Sequence, residues 1–515
     1  MEVIAAVDIG TTGAKSTLVS RAGTVVASAY ASYAIQGEGN RVEQDPGDWW
    51  EATVTGLRSL WEQAPKTQPV ALVLSGQMQD VILVDKGCHL APAILYSDVR
   101  AQDEAQYVLE RLGEARLHEV TGNLQDASSL LAKLLWVKNN LPDVYESAQT
   151  LFVGAHDFVA WRLCGARVAD HTTASTTGLL DVHAKAWAVD FLDDLGLRTD
   201  WLPELVPAEV QVGEIGEIVA QEAGLPVGIP IFHGAGDVAT TTVGAGAGEP
   251  GRYYVYLGTS GWLAATWPDE PVDPLTGIFN LCHPAPEWLI RVGPMLTAAG
   301  NFEWLRAQFG RLEAQAAGQD EEEASYEILN TLAGEAPPGS GGVLYLPYLA
   351  GERAPIRDPH ARGVFFGLSQ HTTRQDLYRA VLEGVAFSMR TIRDAMLPAE
   401  GANARPELSL VGGGARSALW GQVFADVFDC SVHILAAPGD VGARGAALLA
   451  GKALGWYDSY MPGTAFFPAQ DSYVPELQAV ACYDRFYAVF QALYPALRSG
   501  FSALSQALAK APQSA

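Results

Sequence analysis

The sequence offers little positive charge to an anionic polymer. Against 59 aspartates and glutamates it sets 33 lysines and arginines, a formal net charge of -26. That balance repels nucleic acid and acidic membrane surfaces at long range, and neither is an expected partner. ATP is not excluded, because local amides, glycines and Mg2+ hold phosphates inside acidic proteins. Cysteine is scarce too. Cys88, Cys164, Cys282, Cys430 and Cys482 are scattered and form no CxxC or Cys/His ligand run, so a reducing, cytoplasmic setting is expected. No run of about 20 apolar residues is present to span a bilayer. The N-terminus enters a strand pattern without a basic region and apolar segment before it, and no secretory signal is expected. Long low-complexity tracts are missing, and the short acidic stretch Glu321-Glu322-Glu323 reads as a solvated helix face.

What the chain does contain is enough apolar residue, 49% over 515 positions, for more than one core. It also contains a repeated turn. Ile4-Ala5-Ala6-Val7-Asp8-Ile9-Gly10-Thr11-Thr12-Gly13-Ala14-Lys15 returns in reduced form as Tyr256-Leu257-Gly258-Thr259-Ser260-Gly261, roughly 250 residues later. In each copy an apolar strand pattern meets a turn whose glycines allow close backbone approach and whose hydroxyls and amides suit phosphate oxygens. Either turn alone is an ordinary hairpin; two at domain-sized spacing suggest two related halves, residues 1–246 and 247–515, around one phosphorylated ligand. Only the first copy carries a carboxylate, Asp8, where a metal or phosphoryl group needs one.

Strand patterns over 3–9, 14–20 and 24–33 predict an antiparallel start. Asp45-Pro46 reads as an N-cap and first helical residue, with Trp49, Trp50, Val54, Leu57 and Leu60 at helical spacing and the tryptophans in the core. A strand over 70–74 runs into a polar break at 75–79 and resumes at 81–84. Strands and helices alternate to about Gly244, the boundary falls near 245–248, and a strand-rich start follows from Arg252. Thr373 is the expected cap of a helix reaching about Met396.

Ile229-Pro230-Ile231-Phe232-His233-Gly234-Ala235-Gly236-Asp237 is another strand running through glycines to an acid. Transfer of a phosphoryl group to an alcohol needs a carboxylate to accept the hydroxyl proton and Mg2+ to neutralise phosphates, roles that suit Asp237 and Asp8. Asp237 reads equally as the cap of the segment after it. Leu408 to Ser417 reads as strand, glycine loop and N-cap; the loop Gly412-Gly413-Gly414 can lie flat on a nucleotide or be a simple tight turn, and it matches neither GxGxxG nor GxxxxGK[ST]. His171 and His233 lack ligand spacing and are assigned no metal. Asp440 to Ala447 reads as a small-residue helix for close packing, with nucleotide contact as the alternative.

With these residues in view, the chain resembles the FGGY carbohydrate kinases, and among them the xylulokinases, over most of its length. Gly363-Val364-Phe365-Phe366-Gly367-Leu368, Asp376-Leu377, Ala380-Val381-Leu382 and Glu383 meet the family's second signature. Lys133 through Asn140 meet the first in part, Leu130 replacing a small polar residue or proline. Glu43-Gln44-Asp45-Pro46 with Trp49-Trp50, Gly351-Glu352-Arg353 with Pro355, and Val411 through Ser417 are also similar.

The resemblance implies an α/β fold of two actin-like, ribonuclease H-like domains with ATP in the cleft between them, sugar held mainly by the first, and a homodimer as a possible assembly. It implies Asp237 as general base and Asp8 as the Mg2+ and phosphate-side acid. Thr11 and Thr12 would contact the transferring phosphate, Gly258 and Thr259 the ATP phosphates, Gly413, Gly414 and Ser417 the nucleotide, and Met78, Gln79, Asp98 and Arg100 the sugar. Two departures bear on substrate. Gly76-Gln77-Met78-Gln79 stands where xylulokinases usually read Gly-Gln-Met-His, and Tyr96-Ser97-Asp98-Val99-Arg100 where they read Trp-Asn-Asp-x-Arg. An amide replacing an imidazole changes reach and shape at the sugar hydroxyls. The expected activity is phosphorylation of D-xylulose, with another ketose or polyol (ribulose, fuculose, erythritol) as the alternative and an actin- or chaperone-like ATPase as the reading from a different class.

Overall fold

Val3, Ala5, Val7 and Ile9 fall on one face of the strand Glu2–Ile9 and Ile4 and Ala6 on the other, all buried, as a sheet covered on both sides requires. The computed structural model describes residues 1–316, 322–396 and 407–510 and supplies both covers. On the first face lie Trp49, Trp50, Leu57 and Leu60 of helix Pro46–Gln63 and Phe158 and Val159 of helix Ala155–Cys164. Asp45 caps the first of these helices, its Oδ1 accepting from the Gly47 amide at 2.7 Å, and Pro46 opens it. The second face takes Ala443, Ala446, Ala447 and Ala450 of helix Val441–Ala453, packed on Ile4, Ala6, Ala71, Val73 and Phe232.

The two halves share one strand order. In the first, the meander Glu2–Ile9, Gly13–Ser20, Val25–Ser32 continues through two strands parallel to the first, Gln68–Gly76 and Pro230–Gly236, to the antiparallel edge Gln211–Glu214. In the second, Arg252–Leu257, Gly261–Pro268 and Trp288–Met295 form the meander. Glu407–Val411 and Val432–Leu435 follow in parallel, and Ala469–Tyr473 is the antiparallel edge. The second sheet adds Phe279–Cys282 beyond its meander. This is the expected two-lobed α/β architecture.

Local expectations fare unevenly. Thr373 caps helix Arg374–Met396 by reciprocal bonds with Asp376, amide to carboxylate at 2.8 Å and amide to hydroxyl at 3.3 Å. The polar break at 75–79 shrinks to Gln77. Its N–H donates to the Ile9 carbonyl at 2.8 Å and its carbonyl accepts from the Ala155 N–H at 3.2 Å, so tertiary partners carry the chain from one strand into the next. Of the acidic stretch, Glu321 lies outside the described residues and Glu322 begins helix Glu322–Glu335. No described helix is long and apolar enough to cross a membrane.

The lobes meet where helix Val441–Ala453 crosses the segment from Asp237 to Ala247. Close packing was the sequence expectation for these small residues, and the contact is backbone on backbone. A Cβ on Gly445 would be driven into the Thr240 carbonyl oxygen, and one on Gly244 into that of Val441. Lys15 reaches across the same seam, its ammonium donating to the Gly439 carbonyl at 2.6 Å and pairing with Asp440. Neither backbone at the crossing can give way locally, so Gly445→Ala is expected to cost about 1–3 kcal/mol and lower the midpoint of thermal unfolding. Gly500→Ala, where a Cβ meets nothing within 4 Å inside helix Leu477–Lys510, should leave the midpoint unchanged or raise it. Equal midpoints for Gly445→Ala and the unsubstituted protein in scanning calorimetry would reject the crossing as a constraint.

Candidate active site

Asp8 continues the side of its strand that carries Ile4 and Ala6, so strand alternation turns its carboxylate toward helix Val441–Ala453. There Oδ2 stands 3.1 Å from where a Cβ on Gly442 would be, leaving room for glycine alone at the helix N-terminus. Oδ1 is buried without a hydrogen-bond partner. Burial pushes the Asp8 carboxyl above the usual carboxylate range, opposed by the Ser75 hydroxyl and the Lys15 ammonium from the paired strands.

Asp237 follows directly on the strand Pro230–Gly236, whose last residue pairs with Gly76, which in turn pairs with Ile9. Gly234, at φ +75° and against Leu74, takes up the register shift between Phe232 and Ala235 that aims this strand end. Asp237 and Asp8 therefore stand at the same ends of three adjacent parallel strands, where open α/β sheets hold ligands. Burial, and then the charge of Asp8, pushes the Asp237 carboxyl up to about 7. Two buried carboxyls, both raised above the usual range, thus stand at a seam between lobes.

The other expected residues divide into two groups, one in each half of the chain. In the first group, Gln79 lines a cavity of about 430 Å³ with Tyr96, Ser97, Asn123, Arg353 and Arg357, among others. Gln79 adopts φ 68° and its amide donates to the Ser128 carbonyl at 2.9 Å, which holds the side chain at the wall. Met78 is buried against Gly236, one residue from Asp237. Thr11 donates to the Tyr96 hydroxyl at 3.4 Å, and exposed Thr12 lies 3.0 Å from that of Tyr30. In the second group, Gly413, Gly414 and Ser417 line a second cavity, of about 440 Å³, with Ala299, Asn330 and Trp420. Ser417 caps helix Ala418–Phe428, accepting from the Trp420 amide at 3.2 Å and donating to Asn330 at 2.6 Å. Thr259 is exposed in the turn after Arg252–Leu257, and its carbonyl, with that of Gly258, accepts the amides of Ala298, Ala299 and Gly300.

Asp98 and Arg100 are not brought to the cavity. Both Asp98 oxygens accept from Arg100, at 2.6–3.0 Å, and Oδ2 also accepts from the Val42 amide at 2.6 Å, while Arg100 pairs with Glu43 at 2.7 Å and stacks on Trp136. These bonds shape the loop that presents Tyr96 and Ser97. A neighbouring pair escaped the sequence reading. Asp80 is fully buried with Oδ2 unpartnered, and burial raises it well above the ordinary range against the opposing field of Lys133. Lys133, equally buried and pushed by that burial down to about 8, donates to the Leu95 carbonyl at 2.6 Å. An acid inside the apolar run 78–84 was the available signal.

Comparison with known proteins now has a geometry to meet. The family model for the FGGY family of carbohydrate kinases, N-terminal domain, matches residues 3–244, and that for the C-terminal domain matches residues 253–454. The chain is 31% identical over 495 residues to a xylulose kinase of Escherichia coli (strain K12), covering 95% of this chain and 98% of that one. It is similar to a ligand-bound xylulose kinase structure from Lactobacillus acidophilus, with TM-score 0.87, 25% identity and coverage of 98% and 100%. A gluconate kinase structure from the same organism gives TM-score 0.88, 26% identity and coverage of 98% and 99%. With both halves matched and the fold shared throughout, the chain belongs to the FGGY family of carbohydrate kinases.

Proposed function

We propose that the protein transfers the terminal phosphoryl group of ATP to a hydroxyl of D-xylulose, giving D-xylulose 5-phosphate. The observation that carries this reading is the pair of buried, raised carboxyls, Asp8 and Asp237, at the ends of adjacent parallel strands, in a fold that also holds a polar cavity at Gln79 and a glycine-lined cavity at Gly413 and Gly414. Asp237, raised to about 7, accepts the hydroxyl proton as the oxygen attacks. Asp8, with a buried oxygen free of hydrogen bonds, fits a Mg2+ ion, which when bound neutralises phosphate charge. Thr11, Thr12, Gly258 and Thr259 border the phosphates; Gly413, Gly414 and Ser417 border the nucleotide; Met78 and Gln79 face the sugar. Residues 1–246 and 247–515 act as the sugar-side and nucleotide-side domains.

A second reading has its own support. Among the described residues the guanidinium groups of Arg353 and Arg357, both in exposed residues on the sugar-side cavity, make no ion pair or hydrogen bond, and Arg357 is held at φ 45°. Two free guanidiniums suit the carboxylate of a sugar acid, and a gluconate kinase is among the similar structures.

ADP release measured over D-xylulose, D-ribulose, L-fuculose, erythritol and D-gluconate separates these readings, D-xylulose giving the highest kcat/KM. Turnover indifferent to every sugar would leave an ATPase and sink the kinase assignment. If D-gluconate leads, Arg357→Gln should raise its KM while leaving that for ketoses unchanged.

Asp237→Asn is expected to lower kcat by about 10²–10⁴. Base action needs the ionised form, so kcat/KM of the unsubstituted enzyme should fall about tenfold per pH unit below about 7. The stability sign is opposite to that of a salt-bridged acid. The native carboxyl keeps its proton over a window where the unfolded chain has lost it, so Asp237 costs stability as pH rises from the ordinary carboxylate range through about 7. The Asn variant should therefore melt no lower at pH 8 than the unsubstituted protein. Near-normal turnover in that variant would reject the base.

A further inference from the structure

Four fully buried side chains that the reaction above does not use converge near Asp237. They are His156 and Asp157 in the first turn of helix Ala155–Cys164, Asp170 at the end of strand Val168–Asp170, and His233 in strand Pro230–Gly236. One ligand atom from each lies within 4.8 Å of all the others. The closest separations are 2.9 Å from His156 Nε2 to Asp170 Oδ2, 3.1 Å from His233 Nε2 to Asp157 Oδ1, and 3.4 Å from His156 Nε2 to Asp157 Oδ1. Ligands about 2.1 Å from a tetrahedral ion stand ~3.4 Å from one another.

Each carboxylate is aimed by its other oxygen. Asp157 Oδ2 accepts the amides of Val153 and Gly154 at 3.2 and 2.9 Å, turning Oδ1 inward. Asp170 Oδ1 accepts those of Thr172 and Thr173 at 2.9 and 3.0 Å, turning Oδ2 inward, where the Thr173 hydroxyl donates to it at 2.6 Å. Outer partners of this kind orient metal ligands. Helix capping accounts for the anchored oxygens, and Asp170 Oδ2 also has the His156 ring at 2.9 Å, but Asp157 Oδ1 is left without a partner.

A neutral His233 is one donor short. Its Nδ1 lies 3.3 Å from the Gly234 carbonyl and its Nε2 3.1 Å from Asp157 Oδ1, both of them acceptors. A neutral imidazole has one N–H, so either tautomer leaves a lone pair facing an oxygen. Asp157 Oδ1 and His233 Nε2 are in addition buried atoms without a hydrogen-bond partner despite their proximity. With Nδ1–H donated to the carbonyl, Nε2 is left as a ligand. Two carboxylates, two neutral imidazoles and one divalent ion sum to zero charge, which full burial favours.

We propose that His156, Asp157, Asp170 and His233 form a closed structural site for a divalent transition ion of the Zn2+ class. The site ties the strand that ends at Asp237 to helix Ala155–Cys164 and to the Val168–Asp170 strand. His171, next to Asp170 in sequence, stays outside it. Sequence spacing hid the site, because its ligands come from three separate elements.

The test uses tag-free full-length protein expressed with added Zn2+, gel-filtered in EDTA and assayed for metal by mass spectrometry. About one Zn2+ per chain is expected, with less than a tenth of that in His156→Gln/His233→Gln. Protein expressed with Co2+ should show the intense visible absorption of a four-coordinate ion. Metal-free protein should melt lower, and Zn2+ but not Mg2+ should restore it. Metal-free wild-type protein whose melting Zn2+ does not change would overturn the site and leave a proton-bridged His–carboxylate network. Full metal content in a folded double variant would overturn it too, by placing the ion elsewhere. If the variant does not fold, metal content and the Co2+ spectrum of the unsubstituted protein decide. Metal content is read without turnover, so its outcome is independent of the kinase assignment.

Discussion

The backbone contact between Gly445 and the Thr240 carbonyl is the constraint on which the rest of the arrangement depends. It allows helix Val441–Ala453 to lie on the first-lobe sheet with alanines alone as spacers. A larger residue would lift the helix, and with it the N-terminal turn that faces Asp8. The crossing segment begins at Asp237, so one close approach fixes both carboxylates relative to the second lobe. Small side chains here work as a distance standard rather than as filler.

That geometry accounts for the electrostatics. Asp8, Asp80 and Asp237 are all withdrawn from water, and burial is the first cause of each upward shift. Their neighbours differ. Asp8 has Lys15 and a serine hydroxyl, Asp80 has Lys133, and Asp237 has the charge of Asp8 as its second influence. Burial and the neighbouring charge thus bring Asp237 to about 7, whereas the countercharge of Lys15 opposes the shift of Asp8.

Much of this was legible in local patterns. The meander, the Asp45 and Thr373 caps, and the Gly412 to Ser417 loop depend on residues within a few positions of one another, and the signature segments identified the family from residues far outside the site. Asp8 and Asp237 were found because each ends a strand pattern beside glycines. What stayed hidden depended on partners distant in sequence. The 2.7 Å contact of Arg100 with Glu43, which holds the loop of Asp98 and Arg100, is a tertiary fact. Asp80 was passed over inside an apolar strand because its partner, Lys133, lies on another element.

The Lys15 contact with Asp440 and the Gly439 carbonyl joins a strand of one lobe to the helix start of the other and keeps partial access to solvent. Parting of the lobes at this seam would break it. Dissolved ions weaken such a half-exposed pair while leaving the buried carboxylates largely unscreened. Ionic strength therefore acts on the seam and on the buried carboxyls to different degrees, and a step limited by parting of the seam would carry a salt signature that titration of those carboxyls would not.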